Sequence, residues 1–88
     1  AIFGLSRSLA RELGKYNIRV NSISPGSVAT ERQIKLWLKP KLKKELMSLQ
    51  SLKFQLMPED IANMALYLAS ESSSGCTKQN FIVDAGIT

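Results

Sequence analysis

The chain has 88 residues, which at roughly 150 residues per domain allows one domain at most, and its 44% apolar and 22% charged residues are typical of a globular protein rather than a disordered one. No apolar run reaches the roughly 18 residues of a membrane span and the first residues lack the charged start of a signal peptide, so we expect a soluble, cytoplasmic protein. One cysteine, Cys76, and no histidine exclude an internal disulfide, the usual zinc sites and a Ser-His-Asp or Cys-His catalytic group.

The chain is basic, with 12 lysines and arginines against 7 acids and a net charge of +5. Half of the positive charge lies between residues 32 and 44 with no acid among it, at Arg32, Lys35, Lys39, Lys41, Lys43 and Lys44. Such a run is typical of a solvated helical surface. A contact with a phosphate or an anionic substrate is the alternative.

The first predicted element is a helix. Ile2, Leu5, Leu9 and Leu13 recur at helical spacing, and Gly14 is predicted to end the helix in a left-handed conformation. No capping residue precedes the apolar stripe, so we expect the chain to begin inside a helix.

The middle of the chain predicts a strand followed by two helices. Residues 18–24 favour a strand, which Pro25 and Gly26 end. Residues 31–38 and 40–52 then carry Leu and Lys at helical spacing, and Pro40 separates the two helices.

The last third of the chain predicts a helix, a turn and a strand. Pro58, Glu59 and Asp60 are typical of a helix start, and the residues expected on the buried side of that helix are Ile61, Met64, Ala65 and Leu68. Residues 72–75 predict a turn, and residues 81–83 predict a short strand buried on both faces.

Strands separated by helical connections indicate a parallel sheet covered on both faces, which is an α/β fold. Two strands are too few for such a sheet, and below roughly 100 residues the buried fraction is already marginal. The sequence therefore predicts the C-terminal part of a larger α/β domain.

Four segments in this order resemble the short-chain dehydrogenase/reductase family. They are Gly4-Leu5-Ser6-Arg7-Ser8-Leu9-Ala10, Ile18-Arg19-Val20-Asn21-Ser22-Ile23-Ser24-Pro25-Gly26-Ser27-Val28-Ala29-Thr30, Pro58-Glu59-Asp60-Ile61-Ala62 and Phe81-Ile82-Val83-Asp84-Ala85-Gly86. The resemblance covers essentially the whole chain. It implies a Rossmann-type doubly wound parallel sheet, of which residues 1–88 form the C-terminal part of a single domain with the last two strands.

The resemblance also implies a cofactor site for NAD or NADP in the loop after the first strand, at Pro25, Gly26, Ser27, Val28 and Thr30. In this family the backbone at the Val28 position holds the nicotinamide carboxamide, and the hydroxyl at the Thr30 position adds a hydrogen bond. Gly26 would let the backbone approach a flat ring closely. Read from the spacing alone, the loop is an ordinary strand-to-helix connection with Thr30 as the helix cap.

The resemblance assigns residues 31–56 to a substrate-binding lid, which would exclude water from the pocket. Trp37 within it is expected to pack in the core or at a subunit contact rather than stack on substrate. Asn21 and Asp84 are expected to tie neighbouring backbone groups together rather than to catalyse.

The chain departs from the family pattern in three ways. Tyr16 and Tyr67 have no lysine four residues later, so the family's Tyr-x-x-x-Lys pair is expected upstream of Ala1, and the segment alone is expected to be inactive. Lys78 and Ala85 stand where the family commonly has glycine.

The function that the resemblance implies is an NAD(P)-dependent oxidoreductase, which transfers a hydride between the nicotinamide and a small carbonyl or alcohol substrate. A homodimer or homotetramer is implied in the same way, through the first helix and through the last helix and strand. A noncatalytic interaction fragment is the alternative. Nucleic acid is not expected as a partner, because the basic cluster lacks interleaved aromatics apart from Trp37. A membrane is not expected either, because no apolar run is long enough to span one.

Overall fold

The computed structural model describes residues 2–30 and 39–88. In this part the chain forms α1 (Ile2–Leu13), β1 (Ser22–Pro25), α2 (Pro40–Leu49), α3 (Pro58–Ala69) and β2 (Asn80–Val83), with 3-10 turns at Gly14–Tyr16 and Glu71–Ser73. The two strands pair in parallel, with Ser22 opposite Asn80 and Pro25 opposite Val83. The predicted α/β arrangement with a parallel sheet is confirmed, whereas the helix predicted over 31–38 lies outside the described residues.

Helix α1 has the predicted bounds, but the prediction of a left-handed Gly14 is wrong. The chain continues through a 3-10 turn, and the left-handed residue is Asn17, with a φ of 59°. The Asn17 N–H donates to the Gly14 carbonyl at 2.9 Å. Asparagine tolerates this conformation better than most residues, which is why the turn ends there.

Strand β1 is shorter than predicted and begins at Ser22 instead of residue 18. The preceding residues bond to the loop before β2 instead of joining the ladder. The Val20 N–H donates to the Thr77 hydroxyl at 3.1 Å, and the Val20 carbonyl accepts the Lys78 N–H at 2.9 Å. Pro25 is the last residue of β1, as expected for a residue that has no N–H to donate.

Helix α3 starts at Pro58 as predicted, and its first turn is closed by Asp60. The Asp60 carboxylate accepts the Met57 N–H at 2.8 Å, and the Asp60 N–H donates to the Met57 carbonyl at 2.9 Å. This reciprocal pair satisfies two backbone groups at the helix start.

Helix α2 ends at Leu49, earlier than the predicted residue 52. The Gln50 side chain folds over the next turn, donating to the carbonyls of Leu52 and Phe54 at 2.9 Å each. The Lys53 ammonium donates to the carbonyls of Met47 and Gln50. Lys53 thus satisfies a carbonyl of the last helical turn, and the Gln50 side chain holds the turn that follows the helix.

The apolar core of the described residues is small, since the buried apolar side chains are Ala10, Leu56 and Ala85. Ile82 on β2 is 53% exposed, so the prediction of a strand buried on both faces is wrong for these residues. The accessible surface is 6523 Å² for 9.7 kDa, against roughly 5,100 Å² for a folded monomer of that mass. Among the described residues, no helix has the length and apolar character that crossing a membrane requires.

Candidate functional site

The loop of residues 25–30 leaves the carboxyl end of β1, and a turn of residues 84–88 leaves the carboxyl end of β2. Because the strands are parallel, both lie at the same edge of the sheet. Ligands of open α/β sheets bind at this edge. The predicted cofactor loop therefore occupies the position in the fold where a ligand site is expected.

Gly26 is fixed against the second strand. Its N–H donates to the Val83 carbonyl at 2.8 Å. A Cβ placed on Gly26 would lie 2.7 Å from both the Cα and the Cβ of Asp84, which is closer than side-chain atoms pack. The space that a side chain at position 26 would need is thus occupied by Asp84.

The rest of the loop is held by the segment that connects α2 to α3. Val28 forms an isolated parallel bridge with Leu56, and the Ala29 N–H donates to the Leu56 carbonyl at 2.8 Å. The Gln55 side-chain amide donates to the Ser27 carbonyl at 2.9 Å. Backbone bonds on both sides of Val28 therefore fix the loop.

The backbone N–H of Val28 is open to a ligand as far as the described residues show. The Val28 carbonyl accepts the Thr30 N–H at 2.8 Å, but among residues 2–30 and 39–88 nothing accepts the Val28 N–H. A carboxamide oxygen is an acceptor of the kind this N–H requires. Thr30 is exposed, and the helix that its hydroxyl was alternatively expected to cap lies outside the described residues.

Asp84 closes the turn after β2 by itself. Its carboxylate accepts the N–H groups of Gly86, Ile87 and Thr88 at 2.9, 3.2 and 3.1 Å and the Thr88 hydroxyl at 2.7 Å. The hydrogen bond from the Thr88 hydroxyl is the largest effect and lowers the pKa of Asp84; desolvation by burial, the next largest, raises it, and the N–H groups of Gly86, Thr88 and Ile87 each lower it, so that the net shift is downward. Asp84 is therefore ionised at neutral pH and ties its own turn together, as expected from the sequence.

Asn21 has the expected linking role just before β1. Its side-chain amide donates to the Cys76 carbonyl at 2.9 Å, and its side-chain oxygen accepts the Gln79 N–H at 3.2 Å. Both partners belong to the loop that leads into β2. Asn21 therefore aligns the starts of the two strands and lies at the opposite end from the 25–30 loop.

Two clefts among the described residues bear on the position of the site. The larger, of about 500 Å³, lies at the amino ends of the strands and is lined by Arg19 and Glu71 among others. Arg19 is already bonded to three carbonyls and the Ser73 hydroxyl there. The smaller, of about 290 Å³, runs between the start of α1 and β1 and reaches Pro25. Of the two, the smaller cleft is the one that borders the predicted loop.

The chain matches one family of known proteins over its whole length. The model of the family described as enoyl-(acyl carrier protein) reductase matches residues 1–88. A solved short-chain type dehydrogenase/reductase from Mycobacterium ulcerans superposes on 98% of this chain with a TM-score of 0.93 and 35% identity. This chain belongs to the short-chain dehydrogenase/reductase family.

Several relatives are dehydrogenases of small molecules. The chain is 45% identical to a Rhizobium meliloti protein named probable galactose dehydrogenase GalD and 44% identical to D-xylose 1-dehydrogenase of Caulobacter vibrioides, over 98% and 97% of its length. A solved 4-hydroxyisoleucine dehydrogenase complexed with NADH superposes on 99% of the chain with a TM-score of 0.94 and 40% identity. The chain spans about a third of the length of these proteins, since it covers 34% of each curated relative and 36% of the solved one.

These short-chain dehydrogenase/reductase neighbours confirm the predicted fold class, a part of a Rossmann-type doubly wound sheet. The structure also shows the backbone conformation at the two positions where the family commonly has glycine. Lys78 and Ala85 both have positive φ angles, of 61° and 57°. Glycine adopts this conformation at little cost, which accounts for the family's preference at both positions.

The sequence reading missed the contribution of Gln50 to the support of the loop. Gln50 is 1% exposed, and its side chain organises the turn that leads to Gln55 and Leu56. Its side-chain oxygen is buried and has no hydrogen-bond partner among the described residues. The signal was present, because Gln50 continues the apolar stripe of Leu42 and Leu46 at a spacing of four, where a polar residue is unusual.

Proposed function

We propose that these 88 residues are the C-terminal third of an NAD(P)-dependent oxidoreductase that interconverts a carbonyl and an alcohol on a small molecule. The bound nicotinamide would supply or take up the hydride. The 25–30 loop would hold the nicotinamide, and residues 31–56, which include α2, would form the substrate lid. The observation that carries the proposal is the Val28 N–H, which has no acceptor among the described residues and lies in a hydrogen-bonded loop at the carboxyl edge of the sheet.

The chemistry of the loop fits a nicotinamide carboxamide. This group has one oxygen that accepts and one NH2 that donates. The Val28 N–H would donate to that oxygen, and the Val28 carbonyl retains a second lone pair for the NH2 beside its bond from Thr30. The Thr30 hydroxyl would add a hydrogen bond, and Pro25, Gly26 and Ser27 would set the height of the loop over the ring.

The relatives support a nicotinamide cofactor and a small substrate. The 4-hydroxyisoleucine dehydrogenase is complexed with NADH, and the galactose and D-xylose dehydrogenases are named for hydroxylated substrates. We therefore propose NAD or NADP as the cofactor and a small hydroxylated or carbonyl compound as the substrate. The cytoplasmic location expected from the sequence stays a prediction.

We propose a homodimer or homotetramer as the assembly of the whole protein. Helix α1 presents Ile2, Leu5 and Leu9, which are 78%, 63% and 37% exposed. Apolar side chains lined along one helix need a cover in the complete molecule. The remaining two thirds of the protein would cover part of this stripe, and a second copy of the chain would cover the rest, as the family resemblance implies.

The proposal is tested on the whole protein that contains these residues. NADH and NADPH are titrated while the change in their fluorescence is followed, and kinetics are measured for Thr30→Ala. Loss of one uncharged hydrogen bond of about 1 kcal/mol should lower kcat/KM about fivefold. Ser74→Ala is the control, because Ser74 is exposed at the other end of the strands, and its kinetics should equal those of the wild type.

The outcomes separate the parts of the proposal. A whole protein that binds neither dinucleotide would overturn the function. Dinucleotide binding with unchanged kinetics for Thr30→Ala would remove Thr30 from the site and leave the function standing.

A further inference from the structure

We propose that Asp84 is a positioning residue for the nicotinamide. It would act at a distance by fixing both the 25–30 loop and the 50–56 segment that supports this loop. The inference rests on the proposed function, because it concerns the same loop. Asp84 would touch neither substrate nor cofactor.

The first step is that the Asp84 carboxylate sets the shape of its turn. Four donors converge on its two oxygens, and three of them are backbone N–H groups of the next residues. The turn contains two residues with positive φ, Ala85 at 57° and Gly86 at 83°. A charged acceptor that collects several N–H groups stabilises such an unusual backbone path more strongly than a neutral one.

The second step links this turn to the 50–56 segment. The Leu52 N–H donates to the Ala85 carbonyl at 2.9 Å. The Ser51 N–H and hydroxyl both donate to the Gly86 carbonyl, at 3.2 and 2.9 Å. A Cβ on Gly86 would lie 2.6 Å from the Cβ of Ser51, so the two backbones are in close contact. The position of the turn therefore determines where the segment begins.

The third step connects Asp84 and its turn to the 25–30 loop through two sets of contacts. Directly, the Cα and Cβ of Asp84 fill the space where a side chain at Gly26 would lie. Indirectly, the segment that the turn anchors holds the loop through Leu56 and Gln55. Both supports of the loop thus depend on Asp84, one at its first residues and one at its middle.

This geometry predicts a selective defect. Substituting Asp84 should weaken the binding of the nicotinamide and leave the binding of the rest of the dinucleotide unchanged, because both sets of contacts that start at Asp84 end in the 25–30 loop. ADP-ribose lacks the nicotinamide and reports the remainder of the binding site. The ratio of NADH affinity to ADP-ribose affinity therefore separates positioning from general destabilisation.

The experiment compares Asp84→Asn with the wild-type whole protein by isothermal titration with NADH and with ADP-ribose. Asparagine keeps the size of the side chain, but it loses the charge and one of the two acceptor oxygens. NADH affinity should fall about fivefold to tenfold, as expected for one or two weakened hydrogen bonds. ADP-ribose affinity should stay within about twofold of the wild type, since a twofold change is well below the effect of one hydrogen bond.

Asn21→Ala is the matched control. The Asn21 side chain also bonds two backbone groups, the Cys76 carbonyl and the Gln79 N–H, but at the opposite end of the strands from the loop. It should lower the melting temperature without changing the ratio of the two affinities. Thr88→Val removes only the 2.7 Å hydroxyl bond to Asp84. Thr88→Val should lower the ratio of NADH affinity to ADP-ribose affinity, as Asp84→Asn does, but by a smaller factor. It serves as the test if Asp84→Asn does not fold.

Each result has a definite meaning. A selective loss of NADH affinity supports the positioning role. Equal losses for NADH and ADP-ribose, or no loss for either, would overturn it while the wild type still binds NADH. A wild type that does not bind NADH would instead overturn the proposed function, and this inference with it.

Discussion

Lys78 adopts a backbone conformation that its side chain disfavours. Its φ is 61°, although it is neither glycine nor asparagine. The left-handed region costs an L-residue roughly 1–2 kcal/mol because the Cβ crowds the following carbonyl. The bond from the Lys78 N–H to the Val20 carbonyl holds the residue there, since it joins the loop before β2 to the lead-in of β1. The sheet thus imposes a local cost on this residue.

Replacing Lys78 with glycine should relieve part of that cost. We expect Lys78→Gly to raise the free energy of unfolding of the whole protein by roughly 0.5–1 kcal/mol, because the greater freedom of glycine in the unfolded chain offsets part of the gain. Urea denaturation followed by circular dichroism measures it. Lys78→Ala keeps the unfavourable Cβ and should stay within about 0.5 kcal/mol of the wild type. Equal stability of the glycine and alanine variants would show that position 78 is not strained.

At the scale of elements, the start of a helix was predictable where the residues that determine it lie within one turn of each other. The α3 start was predicted correctly because Pro58 and Asp60 act within one turn. The end of α2 and the turn after α1 were not, because hydrogen bonds of Gln50 and Asn17 that the apolar spacing does not reveal fix them. Helix ends depend on side chains that can reach free carbonyls, and periodicity does not record that reach.

The candidate site was predictable to a similar degree. The Pro25 and Gly26 pair located the loop, since both residues are typical of a strand end. The partners that hold it were not predictable, because Asp84 and Leu56 are far from the loop in sequence and come close only through the parallel pairing of the strands. The reason for glycine at position 26 therefore became visible only in three dimensions.

Arg19 connects elements in a way that a lysine could not reproduce. Its guanidinium donates to the carbonyls of Leu68, Ser70 and Ser73 and to the Ser73 hydroxyl, at 2.7–3.2 Å. These acceptors lie at the end of α3 and in the turn after it. A cation at a helix C-terminus is favourable, and the planar fork reaches several acceptors at once. Arg19 therefore ties the end of α3 to the lead-in of β1.

Arg19→Lys should lower the free energy of unfolding of the whole protein by about 1–2 kcal/mol, because a single ammonium leaves part of the carbonyl set unpaired. Thermal unfolding followed by circular dichroism gives the value. Arg11→Lys on the exposed side of α1 is the matched control and should change stability by less than about 0.5 kcal/mol. Equal effects of the two substitutions would show that the network around Arg19 does not contribute.

At the scale of the molecule, the described elements expose many apolar side chains that the core of a complete domain would bury. Large apolar side chains are open on α1, α3 and β2, for example Ile2 at 78%, Leu66 at 70% and Ile82 at 53%. The radius of gyration is 15.7 Å, against roughly 12 Å for a compact domain of this length. The local structure therefore depends on surfaces that the described residues do not provide to one another, apart from the buried positions at Ala10, Leu56 and Ala85.

The 88 residues on their own should consequently lack a cooperative fold. Ordering the backbone costs roughly 1–2 kcal/mol per residue, and the buried apolar side chains of the described part are Ala10, Leu56 and Ala85, too few to offset that cost. Urea titration of the isolated segment, followed by far-ultraviolet circular dichroism, should give a gradual change without a sigmoidal transition, whereas the whole protein should unfold sharply. The isolated segment should also fail to bind NADH at micromolar concentrations. A concentration-independent sigmoidal transition, or micromolar NADH binding by the segment alone, would show that these residues fold and build the site without help, and the exposed apolar faces would then need another explanation.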